Sequence, residues 1–291
     1  MNKAIHLWIV TDAKPGHVNQ SLGLVEALHR RLPELSWQEI PVMSVWQTIR
    51  FALKQKQQKI LRPNLIIGTG HRTHLTLLLL SKIMKVASLV LMKPSLPVSW
   101  FDLAIIPEHD SPSDRSNVIA SKGALNRVQA GVKVENTGLF LIGGPSKHFG
   151  WDSQTLSATI KSIVQKSPLN WVLTTSRRTP EDTLKELESI ENIEVVPCSK
   201  TDANWLPTML AKTKVCWVTE DSVSMIYEAL TAGCKVGLIK TPHIKESRLT
   251  AGIKALEQSG YLVTSPEEKT KKVTLAEADR CAALVQQRFL T

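Results

Sequence analysis

The stretch Val215-Cys216-Trp217-Val218-Thr219-Glu220-Asp221-Ser222-Val223-Ser224-Met225-Ile226-Tyr227-Glu228-Ala229-Leu230-Thr231-Ala232-Gly233 decides the fold class. Val215–Thr219 is uncharged and rich in β-branched and aromatic residues, the composition of a strand buried on both faces. Ser222–Ala232 then reads as an amphipathic helix, ended by Gly233. The same handover from strand to helix recurs in both directions along the chain. Toward the N-terminus, strands are expected at Ile5–Thr11, Trp37–Val42, Leu65–Gly68, Ala87–Met92, Leu103–Pro107 and Val118–Ser121. A second series runs Leu139–Gly143, Trp171–Thr175, Ile193–Val196, Val215–Thr219 and Val236–Ile239. Helical patterns lie between them at Val18–Arg31, Ser153–Lys166 and Glu181–Ser189, with a last helix at Thr274–Leu290. Parallel sheets covered on both faces follow, and two series imply two doubly wound α/β domains.

Size and composition agree. At 291 residues the chain is near the length, about 250–300, at which one core stops growing. The expected division is 1–137, 138–273 and a C-terminal helix, 274–291, packing back across the boundary. With 43% hydrophobic and 21% charged residues, disorder and fibrous classes are excluded. Lys82 and Lys85 interrupt the most apolar stretch, Leu75–Met92, so no membrane span is expected. The opening residues show no long apolar export segment, and four scattered cysteines form no C-x-x-C pair. These features point to a cytoplasmic protein without a structural zinc, resting if anywhere on the inner membrane face.

The charge is uneven. Residues 1–137 hold 17 Lys+Arg against 9 Asp+Glu, and residues 138–291 hold 19 against 17. A basic first half suits an anionic partner there. No nucleic-acid motif accompanies the charge, so nucleic acid is not expected. Within this half, Val45, Ile49 and Leu53 repeat every four residues amid Arg50, Lys54, Lys56, Lys59 and Arg62. Such a helix either turns its apolar stripe to the core or rests on anionic lipid.

Ligands of open parallel sheets bind beyond the carboxyl ends of the strands, so the loops after strands are where chemistry is sought. After the first strand come Asp12, Lys14, Gly16, His17 and Gln20. Imidazole titrates near neutrality and suits general base work, with Gly16 admitting a close approach; the alternative is an exposed turn. After the third strand, Gly68-Thr69-Gly70-His71-Arg72 offers His71 and Arg72 to an acceptor, or simply starts a helix capped by Thr73. Gly143-Gly144 opens the second series as a phosphate approach or a plain tight turn. Ser176-Arg177-Arg178 pairs guanidiniums with hydroxyls before a helix, a natural diphosphate clamp or an interdomain ion-pair site. In the opening stretch, Glu220, Asp221, Ser222, Ser224 and Met225 surround a helix start, and Glu228 lies one turn further on. A phosphate at the helix start would leave Glu228 to accept from ribose hydroxyls; Asp221 or Ser222 would cap the helix in either case.

The blocks Asp12-Ala13-Lys14-Pro15-Gly16-His17 with Gln20, Phe101-Asp102 with Pro107-Glu108-His109-Asp110, Gly143-Gly144-Pro145, Ser176-Arg177-Arg178-Thr179-Pro180 and Thr219–Met225 together carry a resemblance. They resemble the bacterial relatives of the plant elongated-mitochondria fission factor, a family also described as glycosyltransferases. A more distant similarity is to the lipid-linked muropeptide N-acetylglucosaminyltransferase. The resemblance implies two Rossmann-like domains facing a cleft, GT-B-like. It also implies a nucleoside-diphosphate sugar as donor, a UDP-sugar first, and an anionic or lipid-linked acceptor at the N-terminal side. By the same resemblance His17 matches a loop histidine; as base it would deprotonate the acceptor hydroxyl, with Asp12 as the substitute. Ser224 matches the phosphate-side hydroxyl and Glu228 the ribose-binding carboxylate, with neither metal nor cofactor implied. Lys14-Pro15-Gly16 stands where those enzymes have a run of glycines. The extra charges of Glu220 and Asp221 would need Arg177, Arg178 or a metal as partners. The alternatives within the resemblance are a non-catalytic membrane-surface adaptor and a sugar-nucleotide epimerase.

Overall fold

The computed structural model describes residues 4–57, 62–202, 204–246, 248–265, 268 and 275–290. Lys59 and Thr274, named above, lie outside them. The chain divides into two compact units, Met1–Arg127 with Ala276–Thr291, and Val128–Leu275.

The first unit holds β1 (Ile5–Thr11), α1 (Pro15–Arg31), β2 (Leu35–Pro41), α2 (Val45–Gln57), β3 (Leu65–Thr69), α3 (His74–Met84), β4 (Ala87–Leu91), β5 (Leu103–Pro107) and β6 (Val118–Ser121). Its six-stranded sheet runs β2-β1-β3-β4-β5-β6, and every pairing is parallel. Burial on both faces explains the unbroken apolar runs: every residue of β3 and of β5 is buried. Leu24, Val25 and Leu28 of α1 fill one face with Leu7, Ile9 and Ile67. Trp8, Val10 and Ile66 face the other layer, against Ala52, Leu77 and Leu80. The last helix of the chain, α9 (Glu277–Phe289), belongs to this unit. It adds Ala278, Cys281, Ala282 and Val285 to the α1 side, and Arg30 donates to Asp279 at 2.7 Å.

The second unit holds β7 (Thr137–Ile142), α4 (Ser153–Lys166), β8 (Asn170–Thr175), α5 (Glu181–Glu188), β9 (Ile193–Val196), α6 (Trp205–Lys212), β10 (Val215–Thr219), α7 (Val223–Thr231), β11 (Lys235–Ile239), α8 (Arg248–Gln258) and β12 (Leu262–Val263). The sheet order is β12-β11-β10-β7-β8-β9, again wholly parallel. Trp171 and Trp217 are buried, each over a paired glycine: an added Cβ would lie 2.2 Å from Trp171 at Gly138 and 2.6 Å from Trp217 at Gly237.

Both sheets reverse their winding once, between β1 and β3 in the first unit and between β7 and β10 in the second. A crevice opens beyond the strand ends at such a switch point, which is where the sites are to be sought.

Three sequence expectations need correction. Helix α1 begins at Pro15, not Val18, because the fixed φ of proline suits the first helical position. His17 therefore sits on the first helical turn. Strand β2 covers Leu35–Pro41 instead of Trp37–Val42, its register set by pairing Ile5 with Leu35. Helix α2 does not turn Val45, Ile49 and Leu53 to the core; its buried residues are Thr48 and Ala52.

Candidate functional site

In the first unit, the switch-point loop forms a small, ordered constellation. Asp12 follows the last residue of β1, and its side chain is 1% exposed. Its Oδ1 accepts from His17 Nδ1 at 2.9 Å and from the Lys14 amide at 3.3 Å. Burial alone would raise this carboxyl, but the hydrogen bonds from His17 and Lys14, with their charges, bring it below its ordinary value. An ionised carboxylate only accepts, so His17 donates from Nδ1, and Nε2 takes no part in that bond. The Lys14 ammonium stands 3.8 Å from Oδ2, an atom with no hydrogen-bond partner among the described residues.

The loop after β3 closes on the other side of the imidazole. Gly70 has φ +83°, and a Cβ there would lie 2.2 Å from His17 Cε1 and 2.6 Å from Nδ1. Only glycine gives the ring this place and the backbone this turn. Ser21 and Thr69 join the same two elements by a buried hydroxyl pair at 2.6 Å. His71 and Arg72 are exposed on the turn that follows, whereas Gln20 is nearly buried on α1. A Cβ at Gly16 would meet nothing, so packing within the chain does not require glycine there. Thr73 does not cap α3; its hydroxyl donates to Gly70 O at 2.8 Å.

In the second unit, Asp221 sits beyond β10 with its side chain fully buried. Its Oδ2 accepts from Arg178 Nη2 at 2.6 Å, from the Gly144 amide at 3.0 Å and from Ser222 Oγ at 3.2 Å. Arg178 also donates to Gly144 O at 2.5 Å and Pro145 O at 3.1 Å. The glycine pair serves this knot. A Cβ at Gly143 would strike Asp221 Oδ2 at 2.2 Å, and one at Gly144 would strike the Arg178 carbonyl oxygen at 2.2 Å. The Gly143 amide is likewise committed, to Thr219 Oγ1 at 2.7 Å. Gly143, Gly144 and Arg178 thus lock three loops together.

Glu220 points elsewhere. Lys240 donates to its Oε1 at 2.8 Å, and His243 Nε2 lies 3.1 Å from its Oε2. Burial would lower the Lys240 ammonium, but its bonds to Glu220 and Glu257 leave it above its ordinary value. The two acidic residues therefore find partners inside their own unit: Arg178 for Asp221, as expected, but Lys240 and His243 for Glu220.

What remains open is the start of α7. Neither Asp221 nor Ser222 caps it through its side chain, contrary to expectation, because the Arg178 knot holds both. The first helical bond runs from the Ile226 amide to Ser222 O, and the amides of Val223, Ser224 and Met225 have no acceptor among the described residues. Ser224 and Met225 border a pocket of about 400 Å³ lined also by Ser176, Arg177, Arg178 and Ser222, together with Cys198, Thr201, Trp205 and Leu206. Arg177 is exposed and has no ion pair or hydrogen bond among the described residues. An uncapped helix start contributes about 0.3–2 kcal/mol toward a bound anion, and an unpaired guanidinium adds to it. Glu228, half-buried further along α7, does not line this pocket. A larger hollow of about 900 Å³ lies at the opposite, amino ends of β8 and β9, beside Asn170 and Asn192, and no helix begins there.

Sequence reasoning singled out the loop that holds Gly70 without foreseeing its contact with His17, and passed over Trp205, Thr201 and Cys198. The last three follow β9, a strand end to which the same carboxyl-end rule applied. Asp102, part of the resemblance, lies before β5 and accepts from Ser88 N and Oγ at 2.8 Å, so it ties two strands together away from either site. Among the described residues no three His, Cys, Asp or Glu side chains are grouped to hold a metal ion.

Comparison with known proteins places this geometry in context. A family described as mitochondrial fission ELM1 matches residues 15–289. An uncharacterized protein, RP120, of Rickettsia prowazekii is 24% identical, covering 97% of this chain and 98% of that protein. Among solved structures, a Listeria monocytogenes protein assigned as a UDP-N-acetylglucosamine 2-epimerase aligns with a TM-score of 0.64 at 12% identity, over 99% of this chain and 98% of that one. A UDP-glucosyltransferase from Polygonum tinctorium aligns with a TM-score of 0.53 at 11% identity, over 99% and 90%. At these identities the likeness is one of fold, the GT-B-like α/β class that the two sheets display.

Proposed function

The chain belongs to the mitochondrial fission ELM1 family, and we propose that it is a glycosyltransferase that moves a sugar from a nucleoside diphosphate, uridine diphosphate first, to an anionic or membrane-associated acceptor. The observation that carries this reading is the pocket at the uncapped start of α7, with Ser224 and the unpaired Arg177 at its edge. The diphosphate would accept from the α7 amides and Ser224, and Arg177 would offset the charge that grows as it leaves. Trp205 offers a flat apolar wall for a base. In the first unit, His17 Nε2 would take the proton of the acceptor hydroxyl. The acceptor oxygen then bonds to the anomeric carbon, and the nucleoside diphosphate departs with the electron pair. Asp12 holds the imidazole and offsets its positive charge, a general-base contribution of about 10²–10⁴ in rate. The names of the aligned structures, both acting on UDP-sugars, support the donor class.

Calorimetric titration with uridine, cytidine, guanosine and adenosine diphosphates tests the donor site. Binding of one that weakens in Arg177→Ala is expected; silence from all four would sink the reading and leave a non-catalytic adaptor.

A sugar-nucleotide epimerase is the second reading, favoured by the end-to-end alignment with the Listeria protein. It differs in needing no acceptor, so a rearranged sugar nucleotide formed by the chain and donor alone would establish it.

A further inference from the structure

Helix α2 is built the wrong way round for a core helix. Among Val45–Gln57 only Thr48 and Ala52 are buried, while Phe51 packs against Trp8 at a ring separation of 5.6 Å. These residues fix the side of α2 that meets the sheet. At 100° per residue, the opposite side carries Trp46, Arg50 and Leu53, flanked by Ile49 and Lys54, while Val45 is at the edge of the inward side in the first turn. Trp46 is 77% exposed, Leu53 49% and Val45 40%. Trp46 and Leu53 thus face away from the side that packs on the sheet.

The neighbouring helix extends the patch. Thr76 Oγ1 bonds both N and O of Met43, each at 3.2 Å, which fixes the entry to α2 beside the first turn of α3. There Leu75 is 52% exposed. Neither Val45–Gln57 nor His74–Met84 contains a carboxylate, whereas Arg50, Lys54, Lys56 and Lys82 are all cationic. An exposed tryptophan and leucines ringed by cations, without a single anion, match the boundary between acyl chains and phosphate headgroups. A protein partner would need a carboxylate-rich groove to match that ring.

We propose that the outward face of α2, with Leu75 of α3, docks the protein on an anionic phospholipid bilayer. Trp46 and Leu53 enter the headgroup layer, and Arg50 and Lys54 pair with lipid phosphates. The docking extends the reading of a membrane-associated acceptor but uses none of the donor-site residues, so the two fail separately.

The experiment is flotation of the full chain with vesicles of phosphatidylcholine alone and of equal parts phosphatidylcholine and phosphatidylglycerol. Flotation with the anionic vesicles only is expected, weakening as salt is raised. Trp46→Ser with Leu53→Ser, and separately Arg50→Glu with Lys54→Glu, should each reduce it by roughly tenfold or more. Both pairs lie on the surface, so unchanged melting and unchanged nucleotide binding are expected of each; where one pair alters melting, the other carries the test. Wild-type protein that ignores anionic vesicles, or variants that float as well as it does, would overturn the proposal. So would a lipid-independent self-association that the Trp46→Ser, Leu53→Ser pair abolishes, which would assign the face to a second copy of the chain.

Discussion

The first unit places Asp12 at its switch point, and the second places Asp221 at its own. Both carboxylates are buried beyond a central strand, and both take a basic partner from the loop region around them. The partners separate them. Asp12 holds an imidazole through one nitrogen and leaves the other available, whereas Asp221 holds a guanidinium that is itself bonded to two carbonyls. In the first unit the carboxylate orients an imidazole. In the second it ties loops together, and that tie keeps Asp221 and Ser222 from capping α7. The start of α7 is open because the residues best suited to cap it are occupied.

The sharpest way to break this contrast is His17→Ala. If His17 is the base, UDP release from the sugar nucleotide in the presence of acceptor falls by about 10²–10⁴. Calorimetric donor binding stays as it was, and loss of both would show that the two units are not separable in this way. Next is the pair of arginines. Arg177→Ala should weaken nucleoside diphosphate binding by roughly 10- to 100-fold, the worth of a charged hydrogen bond, with little change in melting. Arg178→Ala should do the reverse in its primary effect, lowering stability by about 1–3 kcal/mol because Asp221 is left buried without its cation. Equal melting temperatures for the two variants would erase the distinction between a ligand-facing and a loop-locking arginine.

Gly70→Ala sharpens the first unit. The added Cβ meets the His17 ring and the backbone leaves a glycine-only region, for about 1–3 kcal/mol of stability. Activity should fall with donor affinity intact, as expected when the base is displaced.

The smallest effect is at acid pH. The folded-state carboxyl of Asp12 lies below its unfolded value, so its contribution to stability is fully present above the unfolded value, about 3.9. It is lost as pH falls through the lower, folded value. Asp12→Asn removes this dependence, and its melting temperature should converge on that of wild type below about pH 4. A gap that stays constant into acid would mean that Asp12 stabilises by shape alone.

Legibility divided along similar lines. The strand–loop–helix alternation was readable because parallel strands buried on both faces leave unbroken runs such as Leu65–Thr69 and Val215–Thr219. Helix boundaries are less so: the apolar periodicity of α1 starts at Val18, whereas proline, at home in a first helical turn, opens the helix at Pro15. The apolar stripe of α2 was visible, but its direction was not, since periodicity reports that one side differs without saying which side meets the sheet. Gly143 and Gly144 looked like room for a phosphate, and the folded chain fills that room with Asp221 and Arg178.

By itself, then, the sequence determined the α/β class, the two series of strands and the loops in which polar groups gather. These follow from local hydrophobic pattern and from the rule that open parallel sheets present chemistry beyond their strand ends. Only the tertiary structure decided partners. Asp12 and His17 are five residues apart, but the Gly70 that seats the ring comes from the loop after β3, far along the chain. Arg178 and Asp221 meet across 43 positions of sequence. Adjacent arginines acquire different roles because a charge is free or committed according to what the fold brings within hydrogen-bonding distance, and one-dimensional spacing holds no record of that distance.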